Sequence, residues 1–122
     1  MPRALHLRSV SIPLTLILLF GFASQAWAHA ILVKSKPALH SSVNGPDVAI
    51  WLRFNVRIDG GRSRVQLAAS DGSLQTLSCK QSSPDILESQ ASGLKPGAYK
   101  LIWNVLASDG HMSKGEVPFT VN

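Results

Sequence analysis

From Val48 the chain alternates without interruption, with Val48, Ile50, Leu52, Phe54 and Val56 on one side and Ala49, Trp51, Arg53, Asn55 and Arg57 on the other. Successive side chains of a strand point to opposite faces, so the run reads as a strand with one buried and one wet face. The same period returns at Val65, Leu67 and Ala69, at Tyr99, Leu101, Trp103 and Val105, and at Val117, Phe119 and Val121. Less regular strands are expected at Ile31–Lys34, Leu74–Ser78 and Ile86–Ser89. Between them lie turn signals: Asn44-Gly45-Pro46, Asp59-Gly60-Gly61, Asp71-Gly72-Ser73, Ser82-Ser83-Pro84, Pro96-Gly97 and Asp109-Gly110. No stretch after residue 28 carries the period of an amphipathic helix. The expected fold is therefore all-β, a small Greek-key sandwich or barrel of about seven strands. Pro118 has no N–H to give a neighbouring strand, which places its own strand at an edge or at a bulge.

The N-terminus obeys a different rule. Arg3, His6 and Arg8 precede an apolar stretch from Val10 to Ala23, and Ala26-Trp27-Ala28 follows. A positive start, a short greasy middle and an A-x-A site are the three parts of a secretory signal. The stretch falls short of the roughly 20 apolar residues that cross a membrane, and Pro13 interrupts it, which argues against an uncleaved anchor. Residues 1–28 are read as a signal peptide and residues 29–122 as one exported domain, with His29 its first residue. Of the 12 basic residues, Arg3 and Arg8 leave with the signal, so the formal charge falls from +5 to +3. No Lys/Arg cluster remains that would neutralise a phosphate backbone, which excludes nucleic acid as a partner. Cys79 is the single cysteine, so no internal disulfide is possible; it reads as a small, partly buried hydrophobe.

Catalytic patterns are thin. There is no G-x-S-x-G elbow and no glycine-rich phosphate loop, and the one Asp-x-His pair lacks a nucleophile with a recognisable motif. That pair, in Ser108-Asp109-Gly110-His111, lies at the end of the Tyr99–Leu106 strand, where residues two apart share a face. Alone it reads as a polar turn whose Asp accepts backbone N–H bonds. His29 adds a second element. After cleavage its α-amine and ring Nδ1 can close a chelate on one metal, and an amine of pKa about 8 yields its proton to a metal at neutral pH. With a nitrogen of His111 and an oxygen of Asp109, the donors suit tetragonal Cu(II), with zinc the chemical runner-up. A solvated, frayed terminus is the plainer alternative for His29. His40 lies in a polar connection and reads as a surface histidine, and Met112 is one thioether where Cu(I) needs several soft donors.

The mature chain resembles the CopC family of periplasmic copper-binding proteins over essentially its whole length. The resemblance rests on His29-Ala30 after A-x-A, Lys36-Pro37-Ala38, the Val48-x-Ile50-x-Leu52-x-Phe54 strand, and above all the run from Leu94-x-Pro96-Gly97-x-Tyr99 through Leu101, Trp103 and Val105 to Ser108-Asp109-Gly110-His111 and Gly115. It implies an Ig-like sandwich holding Cu(II) through His29 (amine and imidazole), Asp109 and His111, serving copper sequestration, homeostasis or delivery. It also implies a soluble monomer, copper as the cargo, and an inner-membrane copper transporter as a partner. Two departures stand out. Met112 is the only methionine after residue 28, so no methionine-rich Cu(I) site is carried over, and Asn55-Val56-Arg57 stands where family members often carry acids. The expectation is a non-enzyme. Copper oxygenases also use N-terminal histidine chelates, but 94 residues offer little area for a polymeric substrate; a metal-free Ig-like interaction module is the other alternative.

Overall fold

The computed structural model describes residues 29–122, and every regular element among them is a strand. In chain order these are β1 (Leu32–Lys36), β2 (Ser41–Val43), β3 (Val48–Phe54), β4 (Ile58–Ala69), β5 (Leu74–Leu77), β6 (Lys80–Ser83), β7 (Ile86–Ala91), β8 (Gly97–Ala107) and β9 (Met112–Val121). They form two sheets, in the orders β1-β3-β7-β6 and β2-β9-β8-β4-β5. The all-β fold expected from the alternation forms, as a sandwich of two sheets and not a barrel. The signal peptide at residues 1–28 lies outside the described residues.

The sheets meet through the alternating faces. Val48, Ile50, Leu52 and Phe54 from one sheet are buried against Val65, Leu67, Leu101, Trp103, Val105, Val117, Phe119 and Val121 from the other. Phe54 meets the Trp103 ring edge to face, centroids 5.2 Å apart at 70°. Two expected core residues are only half-buried. Val56 lies beyond the end of β3, in a bend, and Tyr99 stacks on Phe119 at 5.8 Å while its hydroxyl donates to the Lys95 carbonyl at 2.7 Å. Further core residues, including Leu77, Leu87 and Leu94, come from segments without clear alternation.

Among the described residues there are nine strands rather than about seven. The two additions, β2 and β6, are short and polar; each is an edge strand recruited by a neighbour's backbone, which needs no apolar pattern. The region expected as one strand, Leu74–Ser78, ends at Leu77, and the chain then crosses to the other sheet as β6. Gly60-Gly61, expected as a turn, lies inside β4 at an irregularity between Asp59 and Arg64. There the Gly60 N–H donates to Gln81 Oε1 at 2.9 Å, and Ser63 Oγ accepts from Leu106 N at 3.1 Å, so side chains complete the interrupted ladder.

Pro118 also departs from expectation, since β9 lies between β2 and β8 and pairs Pro118 with Lys100 without a bulge. The reason is local. The Pro118 carbonyl accepts from His40 N at 2.7 Å, so its nitrogen, which in a strand faces the same way, points toward the segment just before β2. The carbonyl there, Ala38 O, is taken instead by Ser41 N and Ser41 Oγ, at 3.0 and 2.6 Å. No donor is missed.

Candidate metal centre

Asp109 and His111 project from the β8–β9 hairpin. Gly110 N donates to Ala107 O at 2.9 Å and Ala107 N to His111 O at 2.8 Å, while Gly110 takes φ +93°. A turn followed by a left-handed residue is the three-residue hairpin loop, and it needs glycine at that position. Asp109 Oδ1 accepts from His111 N at 3.1 Å, and Oδ2 lies 3.2 Å from His111 Nδ1. The backbone N–H of His111, then its side chain, hold the Asp109 carboxyl below the usual carboxylate range, although both side chains are about half exposed. The oxygen pair therefore stays anionic wherever an imidazole is neutral.

The same chain carries its own control. Ala69-Ser70-Asp71-Gly72-Ser73 repeats the first four residues of Ala107-Ser108-Asp109-Gly110-His111, and it folds alike. Ala69 N donates to Ser73 O, Gly72 N to Ala69 O and Ser73 N to Asp71 Oδ1, with Gly72 at φ +86°. Asp71 is likewise held low, by Ser73. The bond from Asp109 to a backbone N–H is thus turn chemistry. What the second copy adds is an imidazole in place of the Ser73 hydroxymethyl.

His29 completes the cluster from the other sheet. Its ring lies edge to face with that of His111, centroids 5.8 Å apart at 70°. Ala30 behind it is buried, which anchors the segment. The bend after β3 ties both parts together: Ile31 N donates to Asn55 Oδ1 at 2.7 Å, Asn55 N donates to Ile31 O at 3.0 Å, and Ser108 N donates to Arg57 O at 3.0 Å. In the sequence Asn55 stands out only as one residue of a wet strand face and as part of a segment where the family often carries acids. Its position just past Phe54, opposite the start of β1, is the signal that marks it.

Of the three expected site residues, His111 lies against both His29 and Asp109. They do not form a ready-made cage: among the described residues no group of three or more His, Cys, Asp or Glu side chains is already arranged to hold a metal. As donors, however, they are two imidazoles and an ionised carboxylate, all accessible, which is chemistry that fits a borderline divalent metal. His111 Nδ1 faces Asp109, which fixes the ring and leaves Nε2 open. His40 stands apart. It precedes β2 and bonds to Pro118, about 20 Å along β9 from His111 by the rise of a strand. Cys79 is half-buried against the core, and burial pushes its thiol upward, away from the thiolate a metal requires.

The chain matches the family described as CopC domain over residues 32–122. Protein YobA of Escherichia coli K12 is 30% identical over 118 residues, covering 93% of this chain and 95% of that one. Among solved structures, CopC from Methylosinus trichosporium OB3b superposes with a TM-score of 0.70 at 29% identity, covering 77% of this chain and 94% of that chain. PcoC of Escherichia coli, described as a methionine-rich copper resistance protein, gives 0.66 at 26% identity, covering 78% and 100%.

Proposed function

The chain belongs to the CopC domain family, and on that premise we propose that it is an exported Cu(II)-binding protein that sequesters or delivers copper in the periplasm. The reading places residues 1–28 as a signal removed after Ala28. His29 then supplies its amine and one imidazole nitrogen, His111 a second imidazole and Asp109 an oxygen. The observation that carries it is the approach of the His29 and His111 rings, at 5.8 Å, beside the Asp109 carboxylate. Residues from opposite ends of the domain converge there, whereas the otherwise identical Asp71 turn has no imidazole at all. Three nitrogens and one oxygen favour copper over the other divalent first-row ions.

Copper is cargo in this reading, not a cofactor for turnover. The donors are half exposed at one end of the sandwich, a position suited to handing the ion to a membrane copper transporter, and the domain acts as a monomer and not as an enzyme. The similarity to PcoC does not extend to its methionine-rich character, because Met112 is the only methionine in the domain. A Cu(I) site of several thioethers is therefore not part of the proposal.

The test is intact-mass analysis of the exported protein before and after titration with Cu(II). The expected result is a mass beginning at His29 and a single copper retained per chain through desalting. A mass that begins elsewhere, or a protein that retains no copper, contradicts the reading.

A further inference from the structure

We infer that Asn55 is a positioning residue for the metal centre: its side-chain amide takes over from the backbone at the end of β3 and holds the His29 segment against the Asp109–His111 hairpin. The inference rests on the proposed terminal chelate and names what orients it.

β1 pairs antiparallel with β3, Leu32 opposite Phe54, so the next pair outward is Ile31 with Asn55. A regular ladder would join these two through both backbones. One half of that exchange is present, Asn55 N to Ile31 O at 3.0 Å. The other is not backbone at all: Ile31 N donates to Asn55 Oδ1 at 2.7 Å. β3 ends at Phe54 and the chain bends at Asn55 and Val56, so the amide group substitutes for a peptide carbonyl. Pairing is extended by one residue past the point where the strand turns away.

That turn is what reaches the hairpin. The bend is fixed on both flanks, by Phe54 N to Asp85 O at 2.8 Å and Ile58 N to Pro84 O at 2.9 Å, and in its middle Arg57 O accepts from Ser108 N. A strand that ran straight on would serve Ile31 and abandon Ser108. Asn55 allows both, and so one short segment sets the distance between His29 and the Asp109 turn. The bond is exposed, so it adds little to the stability of the whole domain. Its effect falls on the fraction of molecules whose terminus is in place to bind.

The experiment measures Cu(II) affinity by competition with a chelator, for the processed protein and for a version with one alanine before His29, each with Asn55, Asn55→Ala and Asn55→Asp. Amide exchange at Ile31 and the melting temperature are followed in the metal-free forms. In the processed protein Asn55→Ala is expected to weaken binding about 5–10-fold and to speed Ile31 exchange, while Asn55→Asp, which keeps the acceptor, restores both. The melting temperature stays nearly constant, and in the extended version, where His29 keeps only its imidazole, Asn55→Ala weakens binding by clearly less. Unchanged affinity of Asn55→Ala in the processed protein, or an equal loss in both versions, overturns the positioning role. If the added alanine itself changes nothing, the terminal chelate is wrong, and the inference falls with it for a distinguishable reason.

Discussion

His111→Ala is expected to cost the processed protein more Cu(II) affinity than any other single side-chain change. The loss should exceed the roughly 10–100-fold typical of removing an outer partner of a metal ligand, because a donor itself is removed. Asp109→Asn is expected to do less. The amide it introduces keeps an oxygen that can accept the His111 backbone N–H, so the turn survives, but the charge beside the metal is lost. The Asp71 turn shows that the hairpin forms without a histidine, since Ser73 stands where His111 does. His111→Ala therefore leaves the fold intact, and circular dichroism with a thermal melt separates lost ligation from lost structure. Equal copper affinity for His111→Ala and the parent removes His111 from the site.

Gly115→Ala is expected to produce the largest loss of stability among conservative substitutions. Gly115 lies in β9 directly opposite Trp103 on β8, and it has no unusual backbone conformation to explain a glycine. The reason is space: a Cβ there would sit 2.4 Å from Trp103 Cζ2 and 2.7 Å from Cε2. The indole cannot retreat, because it is buried and packed edge to face with Phe54. Alanine in place of glycine normally helps a strand, so any destabilisation measures this clash alone. Overpacking of this kind costs about 1–3 kcal/mol, which for a domain of this size lowers the melting temperature by roughly 4–8 °C per kcal/mol. Adding Trp103→Leu should make Gly115→Ala nearly neutral. A Gly115→Ala protein that melts with the parent shows that the ring moves aside without cost.

The alternation carried the sandwich because it reports burial directly: Leu52, Phe54, Leu101, Val105 and Val117 are buried where period two puts them. It was silent about β2 and β6, whose Ser and Lys residues are held by a neighbour's backbone and leave no mark in side-chain type. It misread Gly60-Gly61 because a glycine pair inside an irregular strand looks like a turn until Gln81 and Ser63 are seen to complete the hydrogen bonding. At the site, Asp109 and His111 were legible from their spacing in one hairpin, and His29 from its place after Ala28. Asn55 was not, since its role depends on an amide standing in for a carbonyl across two strands. Nor could the sequence alone divide the Asp109 contacts between turn and site; the repeated Ala-Ser-Asp-Gly turn makes that division.

The central claim is that the α-amine of His29 is a donor, so that processing itself creates the site. Competitive Cu(II) titration of the protein beginning at His29, against the same protein with one alanine placed before it, tests this most directly. The account predicts that the extension weakens binding at least about 100-fold while leaving His29, Asp109 and His111 in place, because the chelate ring is opened and one nitrogen is lost. Equal affinity for the two proteins would contradict it.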